Sequence, residues 1–382
     1  MSDPIRIVAG SRLHLLWQLL LIALIAMGLH GYALQHERGL GVTGMSDQVS
    51  WGLYIANFTF LVGLAASAVL LVIPALLLDR PSLGRLIPLG EAMAIAAVTM
   101  SLLFVTVDLG QPLRAWHVLP VLGTPNFPTS ILAWDVFILT AYLLLNLGLF
   151  YQFARQPVHP ARPWVLLTAI LLGIAIHTVT AFMLAGLPAR PVWHSAVLAP
   201  RFIASAFASG AGMLLVVLFL LEKTMHRPRP REAMRLLNGI LAVALWVDLF
   251  LLGSDFFTRF YPLTSHSGVI LTPLSRSAVV IEGLAALVAT VPAWRRRPVW
   301  LFAACLATIG AVMIEKGLGL VVPGFQPTPL GEYADYAPTR VEIHVALGIW
   351  GFGLLLFTWL VRMALSAWDR FPQPFGMTKE AQ

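Results

Sequence analysis

Long apolar runs separated by short polar loops set the pattern of this chain. Ten such runs, each about 20 residues long, fall at about 13–34, 51–78, 87–107, 129–152, 164–187, 200–221, 235–258, 274–293, 299–320 and 341–366. A helix of about 20 residues rises roughly 30 Å, the thickness of a bilayer's hydrocarbon core. The pattern predicts an all-α integral membrane protein with ten transmembrane helices. The first run follows a short Arg-bearing segment but continues past the length of a signal core and lacks a small-x-small cleavage site, so it reads as an uncleaved span.

A faint internal echo groups these helices. The small-residue run Ile55–Leu71 resembles Phe202–Val217, and Val107-Asp108-Leu109 resembles Val247-Asp248-Leu249. Two four-helix bundles follow, spans 2–5 and 6–9, with spans 1 and 10 as flanking helices. The chain then divides into residues 1–50 (first helix and loop), 51–187 (first bundle), 188–320 (second bundle) and 321–382 (loop, last helix and tail). Small-residue packing is common in membrane bundles, so the echo by itself is weak.

Composition agrees. Hydrophobic residues make up 58% of the chain and charged residues 11%, too little polar surface for a soluble domain of this size. The net charge of +7 does not point to nucleic acid, because the basic residues sit in short loops between spans. One set of alternate loops holds most of the 25 Lys and Arg, including Arg229, Arg231, Arg235, Arg295, Arg296 and Arg297. The other set holds Arg38, Arg114, Arg190, Arg201, Arg259, Arg276, Lys316 and Arg340. The positive-inside rule makes the first set cytoplasmic, with both termini. The outer loops Gln35–Ser50, Asp108–Pro128, Pro188–Ala199, Arg259–Pro273 and Val321–Thr339 are longer and rich in Trp, His and Asp. They read as a docking surface more readily than as an interfacial aromatic belt alone.

Carboxylates within the spans are the chemical signal. Each costs on the order of 3 kcal/mol to insert, so each is expected to be paired, protonated or functional. Glu91, Asp135, Asp248, Asp255 and Glu282 are candidates for a proton route, with packing or a helix N-terminus as the plain alternative. Glu315 and Lys316 read as a mutually neutralised pair, and Glu342 as a helix-start acid. A second group of polar residues is expected to converge on the outer half of spans 2–5: Tyr54, Asn57 and Phe58, then Trp134 and Asp135, then His177, Thr178 and Thr180. Donors around an apolar pocket suit a quinone, whose carbonyls need hydrogen bonds and whose reduction needs protons. Any one of these residues alone reads more readily as a bond between helices, whereas the cluster together favours a ligand site. Cys305 is the single cysteine, so the chain cannot ligate an iron–sulfur cluster by itself. Haem is disfavoured because His177 has no second histidine at matching depth in the first bundle.

At these residues the chain resembles the NrfD family of quinone-reactive membrane subunits, and most closely the DsrP-like branch found in sulfite-reduction-associated Dsr complexes. The carrying segments are MSDQVSWGLYIANFTFLVGLAASAVLL, LFVTVDLGQPLRAWHVL, IHTVTAFMLAGLPARPVWHSAVLAPRFIASAF and EKGLGLVVPGFQPTPLGEYADYAPTRVEIHVALGIWGFG, in that order from about residue 43 to 360. The resemblance implies a bacterial or archaeal cytoplasmic membrane, a menaquinone or ubiquinone substrate and no haem or cluster in this subunit. It implies a periplasmic ferredoxin-like iron–sulfur partner, within a complex that includes multihaem cytochrome c, cytochrome b-type and heterodisulfide-reductase-like subunits. It also implies a quinone site near that partner, using the helix that starts at Tyr54–Phe58. Relatives place a tyrosine on the fourth bundle helix, where this chain offers His177, Thr178 and Thr180. Asp108, Gln111, Arg114, His117, Arg190, Trp193 and Arg201 would shape the docking mouth. A transporter or ion-conducting protein, and a redox-inert membrane anchor, remain the rival readings.

Overall fold

The computed structural model describes residues 12–65, 67–77, 86–118, 122–155, 163–225, 227, 229–261, 273–326, 328 and 331–370. Arg80, Arg85, Arg162 and most of the Arg259–Pro273 loop lie outside the described residues. Among the described residues, ten helices are long and apolar enough to cross a membrane, and no strand is present. They are α1 (Arg12–Arg38), α2 (Leu53–Ala65 and Ser67–Leu77), α3 (Ile87–Asp108), α4 (Ile131–Arg155) and α5 (Pro163–Ala185), followed by α6 (Leu198–Met225), α7 (Arg231–Phe260), α8 (Pro273–Thr290), α9 (Pro298–Lys316) and α10 (Arg340–Arg370).

Local sequence sets where several of these begin. Proline occupies the first turn of α3 and α9, where its missing N–H would have had no helical partner. The start of α10 is a capping box: Thr339 N donates to Glu342 Oε2 at 2.8 Å, and Glu342 N donates back to Thr339 Oγ1 at 3.3 Å.

Consecutive helices pack as two bundles, α2–α5 and α6–α9, joined where α2 and α5 meet α6 and where α2 meets α9. The α1–α10 pair clasps the first bundle through α10 against α3. The echoed runs thus fall on the first helix of each bundle, and these two helices touch. The second echo does not match in depth: Asp108 ends α3, whereas Asp248 lies well inside the longer α7.

Helix α2 is the centre of the molecule. Its whole apolar window is buried by neighbouring helices, against 11% of the window in α1. The α1–α10 seam depends on backbone approach at Gly28 and Gly348, where a Cβ on either would run into the other's Cα. Gly348→Leu is expected to overpack this seam and cost about 1–3 kcal/mol, seen as a lower unfolding temperature of the purified protein.

Candidate functional site

One end of the bundle carries Trp51, Asp108, Trp193 and the start of α10; the other carries the arginine-rich loops. Several of the candidate residues lie at the first end, but the structure divides them among three surroundings.

Tyr54 and Asn57 turn toward the clasp. The Tyr54 hydroxyl donates to Gln35 Oε1 at 2.6 Å, and Gln35 Nε2 donates to Val107 O at 2.6 Å. Asn57 Nδ2 donates to Leu53 O at 2.8 Å, one turn back, while its Oδ1 accepts from Trp350 Nε1 of α10 at 2.8 Å. Phe58, the next residue along α2, is buried. Gln35 and Trp350 escaped the sequence reading; Gln35 is the more legible, a polar residue in the last turns of α1.

His177, Asp135 and Thr180 lie between α2, α4 and α5. Thr180 Oγ1 lies 2.7 Å from Asp135 Oδ1, joining α4 to α5, and 2.8 Å from Ile176 O. His177 Nδ1 is 2.6 Å from Gly173 O, and Nε2 is 3.4 Å from Gly63 O. Both neighbours are carbonyls, which only accept, whereas a neutral imidazole carries one N–H. The shorter contact assigns that proton to Nδ1 and leaves Nε2 as a free base. Beside them is Tyr142, also missed, whose hydroxyl donates to Ala65 O at 3.0 Å. Deeper still, Glu91 of α3 is buried with neither carboxylate oxygen hydrogen-bonded. Trp134 and Thr178 stand apart: Trp134 Nε1 donates to Pro128 O at 2.9 Å, and Thr178 Oγ1 to Ile174 O at 3.0 Å.

The cavity beside these residues is not enclosed by α2–α5. A pocket of about 120 Å³ opens on the flank of α2 that faces α8 and α9, lined by Leu53, Ala56, Asn57, Leu274, Met313, Ile314 and Leu318. Its lining residues are apolar except for Asn57, and one of them, Leu274, is 47% exposed.

The third surrounding is the second bundle, where Asp248 and Glu282 lie close to Arg201, Glu315 and Lys316. Glu315 and Lys316 do not neutralise each other. Adjacent helical residues point about 100° apart, so Glu315 bonds Arg201 while Lys316 Nζ donates to Phe202 O at 3.0 Å. Asp255 lies nearer the loop end of α7 and accepts from Ser195 Oγ at 2.5 Å.

The expected docking residues also separate. Gln111, Arg114 and His117 are exposed on a short 3-10 segment or beside it, and Asp108 and Arg190 are partly exposed. Trp193 is 1% exposed: its indole donates to Leu320 O at 2.8 Å, and it stacks on Trp51 and meets Phe325 edge-on. It plugs the bundle end and cannot face a partner. Arg201 is likewise turned inward, onto Glu315.

Glu342 ties this end together, accepting from Gly44 N (2.7 Å), Thr339 N (2.8 Å) and the Tyr336 hydroxyl (2.7 Å). Burial, reinforced by the Glu342 carboxylate, pushes the Tyr336 phenol above its ordinary value, so it remains a donor. Glu342→Ala strips the acceptor from three partly buried donors and is expected to destabilise this end by about 1–3 kcal/mol, read as an earlier unfolding transition.

A ten-helix membrane protein with ionisable groups buried in both bundles is the class these features define. The family model for polysulphide reductase, NrfD, matches residues 41–326, and the chain belongs to that family. It is similar to a Halobacterium salinarum protein named for the membrane component of a dimethyl sulfoxide reductase, at 26% identity over 89% of this chain and 88% of that one. It is similar to the integral membrane subunit of a menaquinone reductase from Nitratidesulfovibrio vulgaris, 22% identical over 90% of both chains. The integral membrane subunit of an Hdr-like menaquinol oxidoreductase from Archaeoglobus fulgidus is 26% identical over 67% of this chain and 64% of its own.

Proposed function

We propose that this chain is the quinone-reactive membrane subunit of a respiratory electron-transfer complex, exchanging electrons between the membrane quinone pool and a periplasmic iron–sulfur subunit in dissimilatory sulfur metabolism. Two relatives are named for menaquinone or menaquinol chemistry, which supports a quinone as the substrate. The observation that carries the reading is the apolar pocket lined by one polar residue, Asn57, and by the exposed Leu274. Apolar walls suit a quinone ring and tail, and the amide supplies one polar contact. With both termini cytoplasmic, this pocket lies near the periplasmic end, under a surface that displays Gln111, Arg114 and His117 to a partner.

Two-electron oxidation of a quinol releases two protons, so a base must stand within the protein's reach. His177 Nε2 offers one. Its contact, Gly63, lies six residues beyond Asn57 on α2, about 9 Å along the axis. That exceeds hydrogen-bond reach from a ring seated at Asn57, so His177 serves as a proton acceptor deeper in the bundle, relaying to the Asp135–Thr180 pair. Glu91, Asp248, Asp255 and Glu282 extend the candidate proton groups into both bundles.

The test is co-purification with an iron–sulfur subunit followed by quinol-dependent reduction of its clusters. Ala56→Trp, which fills the pocket, is expected to lower that reduction tenfold or more while the complex still assembles. Clusters that quinol reduces at the same rate in the filled variant would remove the pocket from the mechanism.

A further inference from the structure

Five ionisable side chains, contributed by all four helices of the second bundle, meet in its interior: Arg201 (α6), Asp248 (α7), Glu282 (α8), and Glu315 and Lys316 (α9). One carboxyl oxygen from each of the three acids lies within 4.8 Å of the others. Arg201 bonds Glu315 directly and approaches Asp248 at 3.8 Å through Nε. Lys316 Nζ donates to Phe202 O at 3.0 Å and lies 4.1 Å from the centroid of the Phe202 ring. Asp248 and Glu282 are each 1% exposed, and none of their four carboxyl oxygens accepts a hydrogen bond from a backbone, amide, hydroxyl or cationic donor.

Charge counting limits what this cluster can hold. A buried charge persists only when it is balanced. Arg201 stays protonated and cancels Glu315. Asp248, Glu282 and Lys316 remain. A carbonyl and a ring face together favour the ammonium form of Lys316, and one ammonium balances one carboxylate. The other carboxyl must carry a proton. We propose that Asp248 and Glu282 form a one-proton site in the second bundle, with its occupancy set by Lys316, the residue through which it touches the first bundle. A metal ion fits less well, because two fixed cations already stand in the cluster.

Lys316 reaches the first bundle at Gly63. Its Nζ lies 3.0 Å from where a Cβ at that position would stand, and Gly63 O is the neighbour of His177 Nε2. The charged or titratable groups facing the pair are therefore Arg201 from α6, Glu315 and Lys316 from α9 and, across α2, His177 from α5. A proton gained at His177 adds positive charge on the far side of Gly63 and weakens the hold on the shared proton. Loss of that proton strengthens the hold.

Infrared spectra of the purified complex, recorded without quinone, test the proton count. The protonated-carboxyl C=O absorption is expected to lose one group's intensity in Glu282→Gln and to gain one group's intensity in Lys316→Met, where both acids must be neutral. Lys316→Arg should match the unsubstituted protein, and Lys316→Met combined with Glu282→Gln should return to it. An unchanged carboxyl band in an assembled Lys316→Met complex overturns the proposal. So does a stoichiometric metal ion, detected by elemental analysis and lost in Glu282→Gln. Where Lys316→Met fails to assemble, Lys316→Gln carries the same expectation, and Glu282→Gln alone still decides whether the pair holds a proton.

Discussion

His177→Ala is expected to lower quinol-dependent cluster reduction about a hundredfold in an assembled complex while leaving quinone affinity unchanged. The size is set at the lower end of the range, about 10²–10⁴, that a proton acceptor in direct reach contributes, since His177 takes the proton only after it has left the ring. The split between rate and affinity follows from geometry: Nε2 contacts Gly63 O deep on α2, a full turn and more beyond the pocket. Steady-state rates over a range of quinol concentrations separate the two terms. A higher KM with an unaltered maximal rate would make His177 a ring ligand, and unaltered kinetics would remove it from the reaction.

Asn57→Leu should give the opposite pattern: an apparent affinity weakened tenfold or more and a smaller effect at saturating quinol. The Asn57 amide is the polar contact in an otherwise apolar pocket, and a site built around one hydrogen bond loses orientation with it. The substitution also strands the Trp350 indole N–H, which costs about 1–3 kcal/mol of stability. Trp350→Phe removes that donor and acts as the control. If Asn57 only braces α10, the two variants lower stability alike and neither changes KM. Binding of a quinone analogue, measured by fluorescence quenching or calorimetry, checks affinity independently of turnover.

The spans were legible because hydropathy over about 20 residues reports a property of each helix alone. The bundle grouping was legible only faintly, through small-residue runs that mark the two helices in mutual contact. Side-chain direction was the least legible. Tyr54 and Asn57 are three apart and share a face, yet Tyr54 reaches Gln35 of α1 and Asn57 reaches Trp350 of α10. A helix enclosed on every side has several neighbours along one face, so a common face does not mean a common pocket. Sequence adjacency misled for a related reason at Glu315 and Lys316, whose partners lie on α6. Trp193 looked like a surface residue because it falls in a loop, but the loop folds over the bundle end and carries the indole inside.

The enclosure of α2 has a consequence for how this protein tolerates change. A span buried along its whole apolar window is constrained by volume and shape, and polarity is acceptable wherever a partner exists, as at Thr59, whose hydroxyl lies 2.9 Å from Lys316 O. Helix α1, little of whose apolar window is buried, is under the reverse discipline away from its seam with α10: any greasy side chain will serve on its outer face, and a charged one will not.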